Sequence, residues 1–327
     1  MSGKPYEFAS VFAGEFLAYL KLRQSQGHQY LREQYQFGSL DRYLLAKNVA
    51  NKKLAAPVIE GWLQSISTKM NVNTLIVYIS HYSGFAKYLH TLGFEAFIPE
   101  RPIDDKSYAP YIFTESEMKR IFAAADSLDR IYRRSAFANL QFPIILRLLY
   151  GCGLRLDEAL GLHAGAVDLV SDALLIRKTK GDKDRLVPMD ASLADIIRQY
   201  ISSHCKSSDG DKLLFSNNKG EQHSGTIMRF WFDRTLKAAG IKKPDLPRYR
   251  RNICPHCLRH TYAVHSLRKQ DLAGTDMYSA PPLLSIYMGH DDILGTEVYL
   301  HMTSENSADI IEKTTAYSAG LFPEAPQ

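Results

Sequence analysis

Apolar positions recur at helical spacing almost from the start of the chain. Phe12, Phe16, Leu17 and Leu20 follow a 3.6-residue repeat with charged residues between them, which predicts a packing helix over residues 8–22. The same period predicts helices near 40–50 and 56–67 and a long one over 73–92, which Gly93 would end. Residues 1–105 therefore read as an all-helical bundle. From 97 to 111 the pattern lapses: Pro99, Pro102 and Pro110, with Asp104, Asp105 and Lys106, neither sustain a helix nor supply apolar surface to bury. Within that stretch 106–111 read as a linker.

A second domain, 112–327, opens where Thr114 and Glu117 have the spacing of a capping box at a helix start. Helices are expected through residue 149. Beyond them, 173–178 and 185–189 read as two strands joined across Gly181 and Asp182, a hairpin signal. Asp190 would cap a helix to about 201, Ser224 another to about 239 ended by Gly240, and Pro255 precedes one more. A helical tail is expected over 304–317. The fold class is mainly α: a helical-bundle N-terminal domain and an α-rich domain carrying a small antiparallel β-sheet.

Composition narrows the partners. The 327 residues are 45% hydrophobic, enough to bury two cores, and the formal net charge of +5 favours an anionic partner, nucleic acid included. Cysteines at 152, 205, 254 and 257 are too few and too unevenly spaced for a disulfide framework, so a reducing cytoplasm is the expected setting. Lys4, Glu7, Glu15 and Lys21 interrupt any signal-peptide core. The longest charge-free apolar stretch, 135–146 with Pro143 inside it, is too short to cross about 30 Å of hydrocarbon, so no membrane partner is expected.

The chemistry concentrates between Cys254 and Tyr299, which begins C-P-H-C-L-R-H-T-Y-A and ends Y-M-G-H-D-D-I-L-G-T-E-V-Y-L. His256 and Arg259 stand three apart in a helical segment, so both leave one face, where they could hold an anion. His290 follows a glycine, and Tyr299 lies nine positions on. The four side chains could converge on one phosphate. A phosphodiester repels nucleophiles and its transition state gathers charge on non-bridging oxygens, so fixed guanidinium donors, imidazoles and a phenol are the residue types such a reaction needs.

This order of residues resembles the C-terminal signature of the tyrosine recombinase (phage integrase) family. The resemblance continues upstream: G-C-G-L-R-L-D-E-A-L places Arg155 and K-T-K-G-D-K-D-R-L-V-P places Lys180. It spans roughly the C-terminal two thirds of the chain. It implies a catalytic set of Arg155, Lys180, His256, Arg259, His290 and Tyr299. In that set Tyr299 attacks phosphorus to form a 3′-phosphotyrosine link, its proton passing to His256 or water, and Lys180 protonates the leaving 5′ oxygen. The phosphotyrosine conserves the bond energy, so rejoining needs no ATP, and no metal or other cofactor is implied. One departure is the segment between Arg259 and His290, with Gly274, Pro281 and Pro282, which is longer than usual in the family.

The implied function is that of a site-specific DNA recombinase of the integrase or transposase type. Its partners would be double-stranded DNA recombination sites, clamped by residues 1–105 as a DNA-binding core-binding domain, and further copies of itself in a tetrameric synapse, the tail docking onto an adjacent protomer. A type IB topoisomerase-like nicking-closing enzyme would use the same constellation. A catalytically silent DNA-binding regulator of the same fold would usually have lost one of the six positions. A metal-dependent phosphodiesterase would need a carboxylate cluster, which Asp291 and Asp292 alone do not make. Glu158, three after Arg155, could orient that arginine, and Arg248, Arg250 and Arg251 could meet a DNA backbone, as could Lys47, Lys52, Lys53 and Lys69. Cys254 and Cys257, with His260 and His265 following, invite a zinc reading, but the gap is too short for a finger and there is no second C-x-x-C.

Overall fold

The computed structural model describes residues 6–26, 33–103, 109–128, 137–177, 184–205, 210–246, 252–274, 280–289 and 299. The chain divides into two compact units, Met1–Tyr108 with Leu246–Arg251, and Ala109–Asp245 with Asn252–Gln327. Among the described residues no helix is long and apolar enough to cross a membrane.

The first unit is built from α1 (Ala13–Ser25), α2 (Glu33–Ala46), α3 (Ala56–Ser67) and α4 (Val72–Thr91). Its core is aromatic: Phe16 stacks on Phe85 at 4.6 Å between ring centroids, and Phe37 and Tyr19 pack around them. Several boundaries differ from the expected ones, the largest difference being the start of α2, at 33 against about 40. α1 begins five residues later, at 13 against 8, because the carboxylate of buried Asp41 on α2 accepts the backbone N–H groups of Ala9 and Ser10 and holds that segment out of helix. α2 stops at 46, not 50, because Asn48 adopts φ 49° and the N–H groups of Asn48 and Val49 turn back onto the carbonyls of Leu45 and Leu44. Gly93, at φ 81°, ends α4 in the same way.

The second unit opens with α5 (Glu115–Asp126), whose capping box is formed: Thr114 Oγ1 accepts the Glu117 N–H and the Glu117 carboxylate accepts the Thr114 N–H. A π-helical turn, Phe137–Gln141, leads into α6 (Phe142–Gly151), apolar but for Arg147, which pairs with Asp126, and α7 (Leu156–Leu160) follows. Three antiparallel strands come next in the order β1 (Val167–Asp168), β2 (Ala173–Ile176) and β3 (Arg185–Pro188), with Ile176 opposite Arg185. The pattern had shown two strands; β1 is too short to carry an alternation. α8 (Ala191–His204) and α9 (Gly225–Ala238) start on Asp190 and Ser224 side-chain caps, and α10 (His256–Leu272) and α11 (Ala280–Met288) complete the unit. α10 lies against α6, and the buried faces of α5 to α9 close one large core around them. The protein is mainly helical with a small antiparallel sheet, as the pattern predicted.

Candidate active site

The site grows from two glycines and the arginines beside them. In G-C-G-L-R, Gly153 takes φ 58°, and a Cβ there would sit 2.5 Å from the Tyr262 ring, so only glycine satisfies both the turn and the close approach. The turn delivers Arg155 to the N-cap of α7. Glu158, one turn on, accepts the Arg155 backbone N–H at 2.9 Å and its guanidinium Nη1 at 2.9 Å. The orienting interaction expected of Glu158 is therefore present, and it has a second half. Arg185, first residue of β3, reaches the same carboxylate with Nη1 at 3.0 Å and Nη2 at 2.7 Å. Burial alone would raise the Glu158 carboxyl, but hydrogen bonds from Arg185 and from the Arg155 backbone, with the Arg185 charge, outweigh it and hold the group at about 2.

Arg259 on α10 is the most deeply placed cation among the described residues, only 2% exposed. Its Nη1 donates to the Gly153 carbonyl at 2.6 Å and its Nη2 to the Met288 carbonyl at 2.7 Å. Burial, then the nearby Arg155, lower it to about 10, still well above neutrality, so it stays charged. A pattern joins the three arginines. Arg185 Nε donates to the Tyr287 carbonyl at 3.0 Å, Arg259 to Met288, and Arg155 Nη2 to Gly289 at 2.5 Å. Three successive carbonyls at the C-terminal end of α11, where helix carbonyls run out of intrahelical donors, each receive one guanidinium. Gly289 is required there: its φ is 66°, and a Cβ would stand 2.9 Å from Arg185 Nη1.

Tyr299 is buried at 3% exposure among Ala263, Val264, Leu267, Leu284 and Met288 of α10 and α11. Its hydroxyl lies 2.7 Å from His260 Nδ1, and the His260 ring meets the His256 ring edge-on at 4.6 Å between centroids. Burial pushes the phenol up to about 12, against the pull of Arg259 and Arg155. His256, at the start of α10, is exposed. Of the predicted set, the structure thus brings Arg155, Arg259 and Tyr299 together, with His256 one helical turn from the tyrosine's partner. The anion face expected of His256 and Arg259 is divided, since Arg259 turns inward and His256 outward. Lys180, His290, the basic residues Arg248, Arg250 and Arg251, and the 304–317 tail lie outside the described residues. Lys52 and Lys53 are engaged in ion pairs with Glu15 and Glu95 within the first unit.

Residues 112–306 match the phage integrase family. The chain belongs to that family. A tyrosine recombinase of Pseudothermotoga lettingae is 30% identical to this integrase-family chain over 280 residues, covering 83% of it and 86% of the relative. A tyrosine recombinase of Thermosipho africanus is 29% identical over 247 residues, 73% of this chain and 75% of the relative. Among solved structures, the XerH site-specific recombinase bound to difH substrate shares the fold at a TM-score of 0.62 and 19% identity, over 85% of this chain and 79% of that one. The Tn1549 transposon integrase in complex with transposon right end DNA does so at 0.62 and 17%, over 91% and 98%. Two residues of the site escaped the sequence reading. His260 follows Arg259 directly, and its spacing from Cys254 and Cys257 suggests only a metal ligand; Arg185 is marked in the pattern only as the first residue of a strand. An arginine opening a half-buried strand was the available signal for the second.

Proposed function

We propose that this chain is a site-specific DNA recombinase that cuts and rejoins double-stranded DNA through a 3′-phosphotyrosine at Tyr299. The observation that carries the reading is a buried tyrosine hydroxyl within the field of two oriented arginines and hydrogen-bonded to an imidazole. In this reading Arg155 and Arg259 bind the non-bridging oxygens of the scissile phosphate. Each terminal guanidinium nitrogen carries two N–H groups, so one can hold a carbonyl while the other meets the phosphate. His256 and His290 add hydrogen bonds, and Lys180 protonates the leaving 5′ oxygen.

A phenol held at about 12 costs about 7 kcal/mol to ionise at pH 7, too much to sustain a standing phenolate. The proton therefore leaves during attack, and His260 Nδ1, already at 2.7 Å, is the acceptor this reading assigns, in place of His256 or water. The reaction needs neither metal nor ATP. The first unit clamps the duplex, copies of the chain assemble as a tetramer on paired sites in the cytoplasm, and the tail docks on a neighbouring copy.

The test is a nicked suicide substrate, whose cleaved fragment diffuses away and traps the enzyme on a 3′ phosphate. Wild type should yield a covalent adduct mapping to Tyr299, Tyr299→Phe should yield none while still binding DNA, and Tyr287→Phe and Tyr317→Phe should leave the adduct intact. An adduct at another tyrosine, or relaxation of supercoils with no strand exchange between paired sites, would overturn the reading.

A further inference from the structure

The C-x-x-C pair at the start of α10 has no part in phosphodiester chemistry, yet its two sulfurs are placed for a reaction of their own. The Cys257 N–H donates to the Cys254 carbonyl at 2.9 Å, closing a turn in which Pro255 holds φ −52° and ψ −29° and His256 begins the helix. Such a turn keeps its end Cα atoms within about 7 Å. A disulfide spans about 4.4–6.8 Å between Cα atoms, so side-chain adjustment suffices to join the sulfurs. Exposure separates their roles: Cys254 is half-buried and Cys257 fully buried, and both are free thiols.

The environment sharpens the difference. A hydrogen bond from the Cys257 thiol, helped by the backbone N–H groups of His256 and Cys257, holds the Cys254 thiol below the ordinary thiol range despite its partial burial. The same hydrogen bond, with burial, pushes Cys257 up. The remaining cysteines differ: Cys152 is buried and raised to about 12 by that burial, and Cys205 is half-buried with no other cysteine near it in sequence.

We propose that Cys254 and Cys257 form a thiol–disulfide exchange site whose substrate is a low-molecular-weight disulfide, with Cys254 the attacking thiol and Cys257 the resolving one. The Cys254 thiolate attacks one sulfur of the small disulfide, forming a mixed disulfide and expelling one thiolate. Cys257 then attacks the Cys254 sulfur, its proton passing to the departing sulfur, which closes the intramolecular bond and expels the second small thiol. Two protein thiols are oxidised and the small disulfide is reduced to two thiols. The closed ring contains His256 and fixes the first turn of the helix that carries Arg259. Oxidation should therefore slow Tyr299 adduct formation, a consequence that rests on the function proposed above.

The full chain is equilibrated with mixtures of reduced and oxidised glutathione, quenched in acid, alkylated, digested and weighed. Wild type should give a Cys254–Cys257 disulfide peptide, Cys257→Ser a glutathione adduct on Cys254, and Cys254→Ser no adduct on Cys257. Iodoacetamide at pH 7 should modify Cys254 about tenfold or more faster than Cys205. No disulfide peptide at any glutathione ratio, or glutathione settling first on Cys205, overturns the exchange site, and neither readout involves DNA. On the suicide substrate, oxidised wild type should form adduct at least about tenfold more slowly and recover with dithiothreitol. Cys254→Ser should be indifferent to the redox buffer. A disulfide that forms without changing adduct formation overturns the coupling to His256.

Discussion

Replacing Glu158 by glutamine removes the one negative charge on which the Arg155 and Arg185 side chains both lean, and leaves an amide N–H₂ facing donors. The carboxyl is held at about 2 against an ordinary 4.5, and each tenfold change in acidity is worth about 1.4 kcal/mol, so the charge contributes about 3 kcal/mol at neutral pH. The sign follows from the direction. A carboxyl depressed in the folded state stabilises above its unfolded pKa, and that contribution is lost as pH falls through 4.5 toward 2. By linkage it should fall to about 1.5 kcal/mol at pH 3. The chain has two tryptophans, Trp62 in the first unit and Trp231 in α9, so in a Trp62→Phe background urea unfolding followed by fluorescence reports the second unit alone. At pH 7 Glu158→Gln should move the midpoint down by about 1 M, from a urea dependence of about 2–3 kcal/mol per M. The gap to wild type should narrow by about half at pH 3. A gap of equal size at both pH values would refute the argument, because the carboxylate charge would then not be what holds the arginines.

Arg185→Lys keeps the charge but cannot fork across Glu158 and reach Tyr287 as well, and should destabilise the second unit by about 1–3 kcal/mol in the same assay. His260→Ala should slow Tyr299 adduct formation by about 10²–10⁴ at neutral pH. His260→Asn, which retains a polar atom near Nδ1 but takes no proton, should be as slow and should flatten the pH–rate profile. Gly153→Ala should cost about 2 kcal/mol or more by thermal unfolding, from the φ of 58° together with the approach to Tyr262. Alanine at Arg248, Arg250 and Arg251 together should lower the slope of log binding constant against log salt by up to about 2.7, at about 0.9 for each phosphate no longer neutralised.

The helices were legible because amphipathic spacing and local caps act within a few residues. Thr114 with Glu117, Asp190, Ser224, Gly93 and Gly240 each end or start an element through hydrogen bonds to near neighbours. What the pattern missed depended on distant partners. Apolar spacing put residues 8–12 in a helix, and the carboxylate of Asp41, far along the chain on α2, overrode it. Arg155, Arg259 and Tyr299 could be chosen from their order along the chain, but their burial could not. The partner of the tyrosine hydroxyl, His260, was equally hidden, because a histidine one position from an arginine carries no sign of which of the two faces the phenol.

The three guanidinium hydrogen bonds at the end of α11 make that helix a ruler. Tyr287, Met288 and Gly289 each offer a carbonyl to a different arginine, and the three arginines arrive from α7, β3 and α10, so the helix end is fixed in both rotation and translation. Adding or removing one residue within 280–289 would turn the carbonyls by about 100° and shift them by about 1.5 Å, unseating all three at once. Length upstream of α11 is free of that constraint. An insertion between Leu272 and Ala280 would leave the register of the last turn unchanged. Variation in chain length across relatives should accordingly collect before Ala280 and vanish after it.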